Sequence, residues 1–598
     1  MSYRYITLAT AIAATLTAMA QEQLSKEITI EREIVPEVHA ASRPAIFPTQ
    51  LRFTAPTLRL DAIDYGKSSE FGPHISTLEP AATEPAAPLT PYRGYVEAGY
   101  FPIANVGVSA GYSIISKEAT RLNVWGQFNN RRYDAAPLDG LEKETFSRLQ
   151  GRIGIDFAHR FTSAGTLGIS TDFNISAFNQ PWSVIGRSIV ATEATEMPGQ
   201  TLPSIKSQNV LGWNIDALWN GKATEDISYH IGAKFDIYNF SKGLPLTDDA
   251  EQSLTLPALH QSGVDLRLGV AKALTNESAV GIDAEANWLH YNSYLQPYAL
   301  TDFFSEDENA HSGKTVGIAT LTPYYRLAKN IYSIKIGARI DFTINSGKKF
   351  HIAPDVLLGI NPAEGFGASL RLGGGEKLNS LQELAQFSPY ICQSMAYGVS
   401  NRPITADLAL RFGPLKGASL TLDLDYAAAN NWLLPYSLDY QLVFAPSKIR
   451  SLKAGATARW TFRRLLALEA KFETVIGSGN KNTWIEWRDR ARRVLTAGVE
   501  VTPLRNLSVN VAYEWRMKRS MPVAGYTTEM LEPEADTPEP VCFNLKNMSN
   551  LNIGAAYRFT EAFTVFARVE NVLNATCYEL PFVPAQGING LIGVGFKF

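Results

Sequence analysis

The chain has 598 residues, with 55 basic against 58 acidic side chains, a net charge of −3 and a hydrophobic content of 45%. This balance gives no reason to expect nucleic acid as a partner, and the apolar content excludes disorder over most of the length. Only 19% of residues are charged, 25 Tyr accompany 29 Phe, and no apolar run of about 18 or more residues occurs after the first twenty, which excludes helical membrane spans.

Residues 1–20 read as a secretory signal peptide. Arg4 supplies the positive charge, 6–20 (ITLATAIAATLTAMA) is the apolar stretch, and Ala18 and Ala20 form an A-x-A cleavage site before Gln21. Fifteen apolar residues are short for a membrane span, so the chain is expected to leave the cytoplasm. Residues 21–92 form a second unit. It begins with a short extended stretch at 27–31 (EITIE) and ends Pro-rich, with Pro73, Pro80, Pro85, Pro88 and Pro91. Proline at that density opposes helix and sheet, so this segment is expected to lie in the periplasm or to occupy the lumen of the larger unit C-terminal to it.

From residue 93 to 598 the pattern has period 2. In 332–344, Tyr332, Ile334, Ile336, Ala338, Ile340, Phe342 and Ile344 share one face, against Ser333, Lys335, Gly337, Arg339, Asp341 and Thr343 on the other. The same alternation recurs at 418–426 and 452–462. Strands of ten or more residues that hold their alternation fit a membrane barrel better than a soluble sandwich. Short links fall near 116–118, 162–163, 221–226, 274–277, 329–331, 363–365, 413–416, 463–464, 505–506 and 561–562. Longer links fall between them, including 427–447, 478–490 and 520–543. Ten tight turns alternating with long loops join eleven hairpins. The expected fold is therefore all-β, a transmembrane antiparallel barrel of about 22 strands. At the C-terminus, Ile592, Val594, Phe596 and Phe598 alternate toward a terminal aromatic. This is the pattern of a barrel-insertion signal carried by Phe596 and Phe598; a chance alternation in an edge strand is the alternative reading.

Asn571, Val572, Leu573, Asn574 and Ala575, then Tyr578, Glu579, Leu580 and Pro581, and the final 593–598 (GVGFKF) resemble the closing strands of TonB-dependent receptors. The stretch 373–384 (GGGEKLNSLQEL) resembles that family's glycine-containing strand and Pro-Ser-Leu-x-Glu-Leu element, with Asn379 where the family has Pro. The resemblance covers 93–598. It implies a barrel of about 22 strands, outer-membrane lipid and the barrel-insertion machinery as surroundings, and passage of a solute. The family also carries a globular plug of well over a hundred residues, and 21–92 is too short to supply one. The stretch 27–31 is either a segment for a TonB-type coupling protein or an ordinary short strand.

No residue pattern points to an enzyme, a cofactor or a metal site. The eight His show no H-x-x-x-H or H-E-x-x-H spacing, and no G-x-S-x-G elbow or phosphate-binding loop occurs. Cys392, Cys542 and Cys577 are too few for a disulfide framework. Charged residues on one strand face are expected to line the lumen: Arg148, Arg152, Asp156 and Arg160; Lys335, Arg339 and Asp341; Glu469, Lys471 and Glu473. They serve either a wet pore or a wall rigidified by mutual salt bridges. Trp484, Trp487, Arg488 and Arg490 are candidate outward-loop contacts for a ligand, with an interfacial anchor as the slightly favoured alternative. Two functions are compatible with these residues. The first is solute passage across the outer membrane. The second is a non-transporting scaffold that docks a surface lipoprotein or another envelope partner.

Overall fold

The computed structural model describes residues 92–598 apart from 102–104, 137–142, 163–164, 180–206, 248–252, 257, 293–313, 346–347, 364, 386–387, 392–397, 439–440, 464, 478–490, 528–539 and 581–582. The signal-peptide and Pro-rich segments and the Trp484, Trp487, Arg488 and Arg490 cluster therefore lie outside the described residues.

Twenty-two strands form the wall. The first seven are β1 (Gly94–Phe101), β2 (Asn105–Ser116), β3 (Thr120–Ala135), β4 (Glu144–Phe161), β5 (Gly165–Asn179), β6 (Ser207–Lys222) and β7 (Ile227–Phe240). Then come β8 (His260–Ala273), β9 (Ser278–Tyr291), β10 (Lys314–Ala328), β11 (Tyr332–Ile344), β12 (Phe350–Ala363), β13 (Phe366–Leu378), β14 (Val399–Leu415) and β15 (Ala418–Leu438). The last seven are β16 (Gln441–Phe462), β17 (Leu466–Gly477), β18 (Arg493–Leu504), β19 (Leu507–Met517), β20 (Met548–Arg558), β21 (Phe563–Glu570) and β22 (Asn589–Lys597). Each pairs antiparallel with the next, and β1 closes on β22 from Tyr95 opposite Lys597 to Tyr100 opposite Ile592. Closure leaves no free edge, so every wall strand satisfies its backbone within the sheet, as a membrane requires.

The alternation sorts the side chains. Ile336, Phe342 and Ile344 of β11 are exposed on the outer face, as are Ile153 and Ile155 of β4 and Val264, Leu266, Leu268 and Val270 of β8. In water such a surface would be an aggregation site; against lipid it is the expected apolar band. At the short-turn end an aromatic girdle adds to it. Phe366 packs on Phe412 at 5.4 Å, Trp460 on Phe462 at 6.0 Å, and Phe596 on Phe598 at 6.3 Å. Both ends of the wall meet there, because the Phe598 carbonyl accepts hydrogen bonds from the Arg93 and Gly94 amides, each at 2.8 Å.

All ten short turns fall where the sequence spacing puts them. The long links carry more strand than the spacing suggests. The stretch 427–447 is largely strand, because β15 and β16 pair on from Trp432 opposite Ser447 to Leu438 opposite Gln441. The alternation breaks at Asn431, which has φ 53°, and the ladder shifts register there before resuming. Smaller hairpins occupy two other long links, Leu244–Thr247 with Ser253–Leu256 and Arg519–Thr527 with Pro540–Leu545.

Candidate functional site

The residues expected to line the lumen share the inward face of their strands, but they do not converge on one site. They form separate clusters on three arcs of the wall. On β4, Arg152 makes a two-pronged ion pair with Asp172, at 2.9 and 3.0 Å, and lies 5.1 Å above the Trp125 ring. Asp156 accepts a hydrogen bond from the Trp125 indole at 2.8 Å. On β11, Lys335 pairs with Asp355 at 2.7 Å, and Arg339 donates to Asp341 at 2.9 Å. On β17, Glu469 pairs with Arg459 at 2.9 Å, while Glu473 is held by both Lys471, at 3.2 Å, and Lys453. Charges of both signs on neighbouring strands are thus paired with one another. Arg148 and Arg160 sit apart from these clusters, at opposite ends of β4.

At the long-loop end, described segments of the chain turn inward against the wall. The turn begins at Gly373, Gly374 and Gly375, where the ladder between β13 and β14 shifts register. Gly375 has φ +115°, a conformation that suits glycine, and a Cβ there would lie 2.6 Å from both Arg339 Nε and Asp341 Oδ2. The end of β13 can therefore bend over the inner face of β11. Asp341, with 0% of its surface exposed, holds it there. Its carboxylate accepts from the Glu376 amide at 2.7 Å, the Thr320 hydroxyl at 2.6 Å and Arg339. Arg339 also donates to the Glu376 carbonyl at 3.0 Å.

Beyond Leu378 the chain continues across the inner wall. The Tyr291 hydroxyl donates to the Asn379 carbonyl at 3.2 Å, and the Gln261 side chain accepts from the Leu381 amide at 2.6 Å. Ser380 then caps a single helical turn, α1 (Leu381–Leu384), by accepting from the Glu383 amide at 3.2 Å. Leu381 and Leu384 are buried. Further on, Tyr390 packs edge-on to Phe178 of β5 at 5.3 Å, and its carbonyl accepts from the Leu442 amide at 2.8 Å. Ile391 bridges the same residue in parallel fashion. The overlong β15–β16 hairpin thus meets the strap, and Leu434, Leu442, Phe444 and Ile391 are buried together at its tip.

A second described segment at this end, within 571–588, is also tied to the wall. Arg519 donates to the Tyr578 and Glu579 carbonyls, each at 2.6 Å, and the Tyr133 hydroxyl donates to the Pro584 carbonyl at 2.9 Å. The two loops meet electrostatically at Arg148, whose charge is felt by both Tyr390 and Glu579. Burial raises the Glu579 carboxyl above its ordinary value, even though Arg148, Arg131, Arg516 and Arg519 all pull it down. Burial likewise raises the Tyr390 phenol and the Cys577 thiol. Among the described residues no group of three or more His, Cys, Asp and Glu stands close enough to hold a metal.

Strand parity places Arg148 on the inner face but gives no sign of its neighbours. Gln261, Tyr291, Tyr390 and Glu579 act through contacts more than a hundred residues away in some cases, which no local pattern records. The one signal in the sequence is polar and aromatic side chains with inward parity at the long-loop ends of strands, such as Gln261 and Tyr291.

No protein-family model and no curated protein matches the sequence. Solved structures do match. The siderophore receptor PirA of Acinetobacter baumannii aligns with a TM-score of 0.61 at 9% identity, over 85% of this chain and 80% of its own. The FrpB iron transporter of Neisseria meningitidis gives 0.61 at 12%, over 85% and 82%, and a mutant ferric enterobactin receptor of Pseudomonas aeruginosa gives 0.58 at 10%, over 85% and 80%. The barrel has the fold of TonB-dependent outer-membrane receptors. At such identities the likeness is one of fold, and it agrees with the resemblance carried by 571–598.

Proposed function

We propose that the protein passes a solute across the outer membrane through a barrel whose outer mouth is closed by its own loops. The receptors and the transporter that share the fold are named for siderophore and iron uptake, which favours passage over catalysis. The observation that carries the reading is the mouth itself. Two loops are hydrogen-bonded to the inner wall across the long-loop end, and burial there is complete at Ile391. A mouth held by a handful of hydrogen bonds and one apolar cluster can open, whereas the wall cannot. The inward charges of β4, β11 and β17 line the passage below it, and Phe596 and Phe598 act as the barrel-insertion signal.

Residues 21–92 complete the proposal as a segment on the short-turn side, in the periplasm or within the lumen. The stretch 27–31 enters the proposal as either a segment for a TonB-type coupling protein or an ordinary short strand. The second reading is a scaffold that docks a lipoprotein or envelope partner without transport. Deleting 24–88 while keeping the signal peptide tests the passage reading. Higher conductance in planar bilayers and greater sensitivity to large antibiotics support passage with 21–92 as an obstruction. A partner that co-purifies at fixed stoichiometry, with no solute flux from any form of the barrel, supports the scaffold.

A further inference from the structure

The short-turn half of the barrel holds a feature that the mouth does not explain. A basin of about 620 Å³ opens across β4 to β10, and its charged lining consists of Arg160, Lys222, His230, Asp283 and Arg326. Register explains its shape. Lys222 lies opposite Ser228, Ser228 opposite Ala271, Ala271 opposite Gly281, and Gly281 opposite Tyr324. The small side chains of Ser228 and Ala271 thus leave a hollow between a long cation on one side and, on the other, Arg326 and the Tyr324 ring, which lies over Gly281. In the neighbouring row, the His230 imidazole and the Asp283 carboxylate meet over Gly269, where a Cβ would lie 2.6 Å from Asp283 Oδ1 and closer still to the imidazole. Asp283 is the one carboxylate of the basin's lining.

Lys222 and Arg326 differ from the inward cations of the three paired clusters. Arg152, Lys335, Arg459, Lys453 and Lys471 all pair with carboxylates. The side chains of Lys222 and Arg326 form no ion pair with a described residue, and Glu225 and Asp226 in the adjoining turn do not line the basin. The two cations stand on β6 and β10, four strands apart, or about 19 Å between backbones at ~4.8 Å per strand. That span is too wide for one compact monovalent anion to satisfy both. We propose that this basin binds a small polyanion, a molecule bearing two or three separated carboxylate, phosphate or sulfonate groups. Lys222 holds one end and Arg326 takes the other with its planar fork. Binding here does not depend on whether the mouth opens, so it stands or falls separately from the passage reading.

The test uses the full-length barrel in detergent and pyranine, a trisulfonated fluorescent dye, monitored by anisotropy at low ionic strength. We expect saturable binding that citrate displaces and that salt of about 0.5 M abolishes. The Lys222→Gln/Arg326→Gln double variant should bind roughly tenfold or more weakly. Arg326→Lys should retain most of the affinity, and Lys117→Gln/Lys416→Gln, at other short turns, should retain all of it. If the double variant fails to give the heat-resistant gel form, each single variant, expected roughly threefold weaker, replaces it. Absence of dye binding by the native barrel, or undiminished binding by the Gln variants, would overturn the proposal. So would binding that appears only once 24–88 is deleted, because the basin would then belong to the chain's own N-terminal segment.

Discussion

The two ends of the lumen are built from different interactions. At the long-loop end, backbone groups of in-folded segments bond to buried side chains, and Leu259, Ile391 and Phe444 have no exposed surface. At the short-turn half, the inner wall carries ion pairs that solvent reaches, such as Arg459 with Glu469, whose side chains are 62% and 47% exposed. One end is organised as a core and the other as a wet surface. Buried polar contacts are costly to break because the freed group stays unsatisfied, whereas exposed ion pairs contribute little. The difference implies that substitutions at the mouth loosen it, while those below alter what the passage holds.

The sharpest contrast should come from Gly375→Val. The added side chain meets Arg339 and Asp341, and the residue must also hold φ +115°, so we expect a cost of about 3 kcal/mol at the bend. Limited chymotrypsin cleavage within 379–391 should rise by about a hundredfold, because cleavage tracks the opening equilibrium. Unchanged cleavage would mean that the bend is not what seats the strap. Next is Glu579→Ala, which leaves several arginines around a lost carboxylate. A cost of about 2 kcal/mol is expected, read as roughly thirtyfold faster cleavage near Tyr578.

The pH dependence of that same site is set by the direction of its shift. The Glu579 carboxyl is raised in the folded protein, so the folded state takes up the proton first. Its contribution to stability is full below the ordinary glutamate pKa and is lost as pH rises through the raised value. Protection of 571–588 should therefore improve as pH falls through that window, and Glu579→Gln should remove the dependence. A dependence of the opposite sign would show that the arginines outweigh burial. Smallest of all should be Arg459→Ala, at about 0.5 kcal/mol or less in urea unfolding of the heat-resistant form. A loss of several kcal/mol there would erase the distinction between the two ends.

The wall is legible in the sequence because its causes are local. Period-2 alternation fixes which face of β11 meets lipid, and turn spacing places the ten short links. The hairpin of β15 and β16 reads as a loop because its second half resumes pairing only after the positive-φ residue Asn431. Gly373, Gly374 and Gly375 stand out as a low-bulk segment, but the direction of the bend is set by Asp341 and Arg339 more than thirty residues earlier. Parity alone puts Arg148 on the inner face. Its meeting with Tyr390 and Glu579 depends on two loops folding over it, and periodicity carries no record of that. Trp484, Trp487, Arg488 and Arg490 lie outside the described residues, and their proposed role in an outward loop stands on sequence alone.

Single-channel conductance in planar bilayers addresses the closed mouth most directly. Two pairs of barrels are compared, with and without 24–88, and in each pair residues 381–391 are either native or replaced by a short Gly-Ser linker. If the in-folded loops close the mouth, replacing 381–391 should raise conductance several-fold, and in the 24–88-deleted pair it should do so with no plugging segment left to mask the effect. Equal conductance with and without the strap, in barrels that have lost 24–88 and still show the heat-resistant gel form, would contradict closure by these loops.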